Sequence, residues 1–276
     1  MSISVIIPAY KAVQTIERAL ACVAAQTLKP DEVIVVDDGS QDGTLKAAQA
    51  FKDKMDAIDL KVISQENLGA GAARNRAIEE ASGTWLAFLD ADDEWLPEKL
   101  ATSMQAINEH GLTLLAHNYL AIKGADETLV DCAARYRAAM DPYIGLYRKG
   151  FLATSTIVVR RDAVLEAGCF DETLATAQDF DLWLKILKEE GAAFLVKPDT
   201  LMRYHITAGS ITSHTARRLE CSLRIAKRHA PNRIDHGYRI TAVHLEAITS
   251  SLAQGRPLAT LGYLLQLPAR LLATFS

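Results

Sequence analysis

Carboxylates gather at three places along the chain. Asp37 and Asp38 follow the run EVIVV, Asp90, Asp92 and Asp93 follow TWLAFL, and Asp179 and Asp181 open the stretch QDFDLWLK. Like charges at this spacing repel, and each carboxylate resists leaving water. A divalent cation offsets both costs. Oxygen ligands of this kind suit Mg²⁺ or Mn²⁺, and a metal that serves a diphosphate needs few protein ligands, because phosphate oxygens and water complete its shell. Strand alternation carried through the second cluster would project Asp90 and Asp92 to one side and turn Ala91 away. Helix capping ahead of EWLPEKL accounts for the run equally well, Asp93 above all. In the third cluster, Leu182, Trp183, Ile186 and Leu187 have the spacing of a buried helical face. Asp179 and Asp181, two apart on that helix, must point different ways, and Asp179 is placed either to cap it or to do chemistry.

The elements that hold these residues follow from periodicity. ISVII (3–7), EVIVVD (32–37), residues 60–64 and TWLAFLD (84–90) read as strands, nearly all apolar where both faces of a sheet are covered. Helical patterns alternate with them: Val13, Ile16, Leu20 and Val23 share one face, residues 44–53 form another helix, and LGAGAARNRAIEEA (68–81) is a glycine-containing loop feeding a third. The βαβ series predicts an α/β fold with a doubly wound, mostly parallel sheet, whose ligands bind at the carboxyl ends of its strands. Further strands are expected near 112–122, 155–159, 193–197 and 200–205, and a helix near 179–189. From about residue 215 the pattern turns helical and basic. The weak composition shift near Ser213 divides a first domain, 1–212, from a C-terminal extension, 213–276.

The 276 residues carry a net charge of −4. From Arg217 onward there are nine Lys/Arg and three Asp/Glu, a balance of +6, which leaves −10 on the rest. An acidic body argues against a general nucleic-acid binder. Cys22, Cys132, Cys169 and Cys221 have no zinc spacing and read as reduced thiols of a cytoplasmic protein. MSISVIIPAY is neither a signal peptide nor a membrane span. The loop at 68–71 lacks the full GxGxxG fingerprint and no GxxxxGK[ST] occurs, which tells against a dehydrogenase and a P-loop ATPase.

VIIPAYKA, VIVVDDGSQDGT, NLGAGAARN, FLDADD and AQDFDLWLK, in this order, resemble the family 2 glycosyltransferases with their GT-A fold. The resemblance covers about residues 3–211. It implies a nucleotide-binding half (about 1–95) and an acceptor half (about 96–212). It places Tyr10 against the nucleobase, with Pro8 and Ala9 nearby, and has Asp38 accept a hydrogen bond from the base, most often uracil, beside Asp37. Arg74 lies near the base or phosphates. Within the donor-binding stretch Asp90–Ala91–Asp92, Asp90 binds ribose and Asp92 ligates Mn²⁺ or Mg²⁺. Asp179 matches the aspartate that serves as catalytic base, with Gln178 in place of the usual Glu. The segment LMRYHITAGSIT resembles one beside the diphosphate, so that His205 completes the metal or contacts phosphate, and Arg203 or Ser210 helps hold the leaving group.

The implied activity is metal-dependent, inverting transfer of a sugar from a UDP-type donor to an acceptor hydroxyl, in surface polysaccharide or lipid-linked glycan synthesis. Two rivals are a sugar-nucleotide nucleotidyltransferase, for which PAYKAVQT supplies no basic glycine-rich loop, and a catalytically silent nucleotide-binding or scaffold protein. The tail RPLATLGYLLQLPARLLATF, broken by Pro268 and Arg270, is too interrupted for a span. It is expected to pack on the body, to form a homodimer contact, or to lie peripherally on the inner face of a membrane.

Overall fold

A computed structural model describes residues 1–206 and 215–275. The N-terminal part runs β1 (Ile3–Ala9), α1 (Ile16–Ala24), β2 (Glu32–Asp38), α2 (Thr44–Ala50), β3 (Asp59–Gln65), α3 (Ala70–Glu80) and β4 (Trp85–Phe88). Next come β5 (Glu94–Trp95), α4 (Lys99–His110), β6 (Leu114–Lys123), β7 (Asp126–Val130), α5 (Cys132–Arg137), α6 (Pro142–Lys149), β8 (Val158–Arg160) and α7 (Arg161–Glu166). The chain ends with α8 (Gln178–Lys188), β9 (Phe194–His205), α9 (Thr215–His229), α10 (Arg233–Ala253) and α11 (Pro257–Phe275).

Among the described residues the strands form one sheet in the order β3-β2-β1-β4-β8-β6-β9-β5, with β7 paired to the C-terminal part of β6. β1, β2, β3 and β4 are parallel, as are β6 and β9, while β8 runs antiparallel between β4 and β6. The longest ladders are parallel, and helices cover both faces. The central strands β1, β2 and β4 are buried along their whole length and read as nearly unbroken apolar runs. Alternation sorts their side chains: Val5, Ile7, Val33 and Val35 join Leu20 and Trp95 on one face, and Ile6, Ile34 and Phe88 join Trp183 on the other.

Three expectations need correction. Residues 155–159 are not a strand from their start: Thr154–Thr156 is a 3₁₀ turn, and β8 begins at Val158. The strands expected at 193–197 and 200–205 are one strand, β9. Its pairing with β6 jumps from His117–Lys197 to Asn118–Thr200, and the Asn118 side chain donates to the Pro198 carbonyl at 3.2 Å across the bulge. Asp90 and Asp92 do not continue β4, which ends at Phe88. They sit in a turn closed by the Asp93 N–H on the Asp90 carbonyl, so strand alternation does not orient them.

The C-terminal helices are present as expected. Arg148 on α6 pairs with Asp235 of α10 at 2.5 Å, and Arg239 of α10 covers the Phe180 ring of α8 at 4.8 Å. The extension thus packs on the body through α9 and α10. Among the described residues no helix is long and apolar enough to cross a membrane. The expected boundary near Ser213, and Ser210, lie outside the described residues.

Candidate active site

The ends of β1, β2 and β4, the start of α3, the 3₁₀ turn and the start of α8 converge on one side of the sheet. Pro8 and Ala9 close β1, and Tyr10 stands just beyond with its ring half exposed. Lys11 Nζ lies 5.1 Å from that ring. At the end of β2 the two aspartates divide the work. Asp38 accepts from Gln65 Nε2 at 2.8 Å, the Leu68 N–H at 2.9 Å and the Gly69 N–H at 2.8 Å, so its carboxylate is occupied in holding the glycine loop. Asp37 accepts only a long bond from the Ser40 N–H at 3.3 Å, through Oδ2, and its buried Oδ1 has no protein partner. Gly39 between these elements has φ 75°, and a Cβ there would meet the Asn67 nitrogen at 2.9 Å, so only glycine fits.

Arg74, from α3, is buried and donates to Asp90 Oδ1 at 2.5 Å. Its guanidinium is thus tied to the aspartate turn that follows β4. Burial opposes its charge, but Asp90 and Asp179 outweigh that and hold its guanidinium above the ordinary range.

The aspartate turn is organised by a residue that the sequence did not single out. Ser155 Oγ accepts from the Asp90 N–H at 3.0 Å and donates to Asp93 Oδ2 at 2.6 Å. Asp93 also accepts from the His205 N–H at 3.3 Å. It is therefore a buried hub that ties the turn to the 3₁₀ segment and to the end of β9, not a helix cap. Burial, then the neighbouring Asp90, pushes its carboxyl well above the usual range. Arg18, also missed, donates to the Asp92 carbonyl at 2.5 Å. Trp95 Nε1 donates to the Ser155 carbonyl at 2.8 Å, fixing the 3₁₀ turn from the other side.

His205 ends β9 with its Nε2 buried and without a hydrogen-bond partner, 3.6 Å from Glu94 Oε2. Arg203 pairs with Glu94 at 3.2 Å. Burial, then Asp90, raises the Asp92 carboxyl, while Arg18 and His205 act in the opposite sense. Among the described residues no group of three His, Cys, Asp or Glu could hold an ion by itself. The donors fit a divalent cation shared with a ligand. Asp92 offers a carboxylate whose charge is unfavourable as it stands, and His205 offers an orphaned imidazole nitrogen.

Opposite this turn, α8 opens at Ala177, whose φ of 60° is a left-handed conformation uncommon for alanine. Asp179 accepts from Thr154 Oγ1 at 2.6 Å and does not cap the helix. Asp181 points away, fully buried. It accepts from Arg228 at 2.8 and 2.9 Å, and its carboxylate lies 2.8 Å from His229 Nε2 and 2.9 Å from Lys185. Burial pushes its carboxyl up, but His229 and Lys185 prevail and hold it at about 2. The expected burial of Leu182, Trp183, Ile186 and Leu187 is present. Gln178 donates to the Leu174 carbonyl at 2.7 Å, and its side chain lies against Gly71 of α3, joining α3 to α8.

An open sheet with acidic strand ends facing a helix-borne carboxylate defines a GT-A-type fold. The same architecture is found in a mannosyltransferase from Pyrobaculum calidifontis solved with GDP-Man and Mn²⁺, at 18% identity and a TM-score of 0.67 over 98% of this chain and 86% of that one. Residues 4–165 match the family description "Glycosyl transferase family 2". The amylovoran biosynthesis glycosyltransferase AmsB of Erwinia amylovora is 30% identical over 81% of this chain and 76% of its own. An Escherichia coli protein, UDP-Glc:alpha-D-GlcNAc-diphosphoundecaprenol beta-1,3-glucosyltransferase WfgD, is 28% identical over 79% and 82%. The chain belongs to glycosyl transferase family 2, and it is a glycosyltransferase related to polysaccharide-synthesis enzymes that use nucleotide sugars.

Proposed function

We propose that the protein transfers a sugar from a UDP-linked donor to a hydroxyl of a glycan or lipid-linked glycan, with inversion and with help from Mn²⁺ or Mg²⁺. The observation that carries this reading is the placement of Asp179, on α8, across from the Asp90–Asp93 turn, with the two joined through the Thr154–Ser155 segment. The activity of the Escherichia coli relative, with a UDP-glucose donor and an alpha-D-GlcNAc-diphosphoundecaprenol acceptor, supports the substrate classes. The Mn²⁺ bound by the archaeal structure supports the metal.

Tyr10 offers a half-exposed ring for a nucleobase, with Pro8 and Ala9 forming the floor. The free Oδ1 of Asp37 is the acceptor available to a base N–H, while Asp38 shapes the loop beside it. Asp90, held by Arg74, faces the ribose, and the Arg74 charge sits behind the diphosphate. Asp92 and His205 would hold the cation, which when bound supplies positive charge against the departing diphosphate. Asp179 takes the proton of the acceptor hydroxyl as that oxygen attacks the anomeric carbon from the face opposite the leaving group. One displacement inverts the centre, and no enzyme nucleophile is required.

Calorimetric titration of UDP, GDP and dTDP, with and without Mn²⁺, into wild type and Asp92→Ala tests the donor side. Mn²⁺-dependent UDP binding that is lost in the variant is the expected result. Binding of none of the three nucleotides would discard the reading and favour a silent scaffold.

A further inference from the structure

Large apolar side chains exposed to solvent are concentrated in one part of the molecule. Ile234, Tyr238, Leu245 and Leu252 line the outer side of α10, and Leu258, Leu261, Leu265 and Leu272 line the outer side of α11. Leu258, Leu265 and Leu272 are 85%, 70% and 73% exposed. Both sets follow helical periodicity, so each forms a stripe. On α11 the opposite side, including the buried Thr260 and the half-buried Tyr263 and Leu271, turns to α10. The helix is therefore apolar on two sides, and the described structure covers only one of them. Where the helices meet, Ile234, Tyr238, Thr241, Leu245 and Leu271 line an open groove of about 530 Å³. An uncovered surface of this kind marks an interaction site.

Charge selects the occupant. α11 contains no Asp or Glu. On α10, Asp235 is buried against Arg148, and Glu246 is engaged by Arg218 at 3.3 Å. Arg256 and Arg270 are exposed at the beginning and in the second half of the α11 segment. A second copy would bring two segments of +6 together and would set Pro268 in the leucine stripe of the seam. A negatively charged surface meets neither obstacle.

We propose that the outer face of the α10–α11 pair docks on an anionic lipid bilayer, with α11 lying in the headgroup plane, its leucines in the acyl boundary and its arginines among the phosphates. The proposal deepens the reading of a lipid-linked acceptor and rests on it for the partner's identity. Docking would hold the enzyme at the surface where such an acceptor is confined.

The test is sedimentation of the full chain with phosphatidylcholine vesicles, with and without phosphatidylglycerol, alongside UDP titration in the same buffer. Wild type is expected to bind the anionic vesicles and to lose binding as salt rises. The combined variant Leu258→Ser/Leu265→Ser/Leu272→Ser, and separately Arg256→Gln/Arg270→Gln, should each reduce partitioning about tenfold or more. UDP affinity and the thermal midpoint should be unchanged in both. These side chains are exposed, so the fold should tolerate the changes, and the arginine pair tests the idea without touching the apolar stripe. Absence of vesicle binding in wild type, or equal binding by both variants, overturns the proposal. A dimer in sedimentation equilibrium that the leucine variant dissociates, without vesicle binding, overturns it in favour of self-association. Intact UDP binding in any of these outcomes leaves the catalytic reading standing.

Discussion

Asp179 and Thr154 form the most informative pair at the scale of single residues. The Thr154 hydroxyl has one proton, and it is spent on Asp179 Oδ2, which leaves Oδ1 for the proposed role toward an acceptor. Replacing Asp179 by Asn should lower the turnover number by about a thousandfold while UDP affinity stays within about twofold, because the base acts on the acceptor and not on the nucleotide. Equal losses of binding and turnover in calorimetry and initial-rate assays would remove Asp179 from that role. Thr154→Val should lower turnover about tenfold with little change in donor KM, and Thr154→Ser should restore it. A Thr154→Ser enzyme as poor as the valine variant would show that the methyl group, not the hydroxyl, matters. On the donor side, Asp37→Ala should weaken UDP binding about tenfold, the scale of one hydrogen bond to a buried charged acceptor. An unchanged affinity in the titration would return the base contact to Asp38.

At the scale of elements, α8 is fixed at its root by Asp181, which draws Arg228 and His229 of α9 onto it. Removing one partner of such a buried group is strongly destabilising, so Asp181→Ala should lose on the order of 3 kcal/mol in urea unfolding. Its carboxyl is held at about 2, below the unfolded value of 3.8. The stability it contributes is therefore full above pH 4 and is lost as pH falls through about 2. The acid limb of the wild-type stability curve between those values should be flatter in Asp181→Asn; an identical limb in both proteins would contradict the assignment.

The parts of this framework that were legible in the sequence are those with a repeating signal. Alternating strands and helices, and aspartates placed at strand ends, announced the sheet and its functional edge. The buried stripe Leu182, Trp183, Ile186 and Leu187 announced α8. Thr154 and Ser155 gave no signal, because a short hydroxyl run between apolar residues has no period, and their importance comes from a fold that brings residues 90 and 155 together. β9 was read as two strands because Pro198 and Asp199 look like a break. The Asn118 side chain satisfies the bulge there, a tertiary contact invisible along the chain.

For the whole molecule, one face of the sheet holds an unusual cost. Lys99 is fully buried with its ammonium nitrogen unpartnered, 3.8 Å from the centre of the Trp95 ring, and His117 is buried with Nε2 unpartnered. Burial lowers the Lys99 amine well below its ordinary range. It lowers the His117 imidazole to about 3, with Lys99 adding to the effect. For both groups the folded value lies below the unfolded one, so the folded chain binds fewer protons. Stability should rise with pH through these windows, and for His117 it should fall as pH drops below 6.5 toward 3. Lys99→Met keeps the volume and removes the unpaired amine, and it should stabilise the protein by about 1–3 kcal/mol at pH 7. A thermal midpoint below wild type would mean that the amine has a partner in solution.

The bulge in β9 gives the strand a parity. Along its last residues successive side chains face opposite sides, so whether Tyr204 or His205 turns toward Glu94 is set by the register in which the strand leaves the bulge. Deleting one residue at 198–200 would leave the strand long enough to pair but, where alternation runs on unbroken from Lys197, would exchange the sides of Tyr204 and His205. Deleting two would keep the imidazole on its side. In the descent of this chain, length changes at that bulge should be read by whether they are even or odd, much as a reading frame is, and only the even ones should be silent.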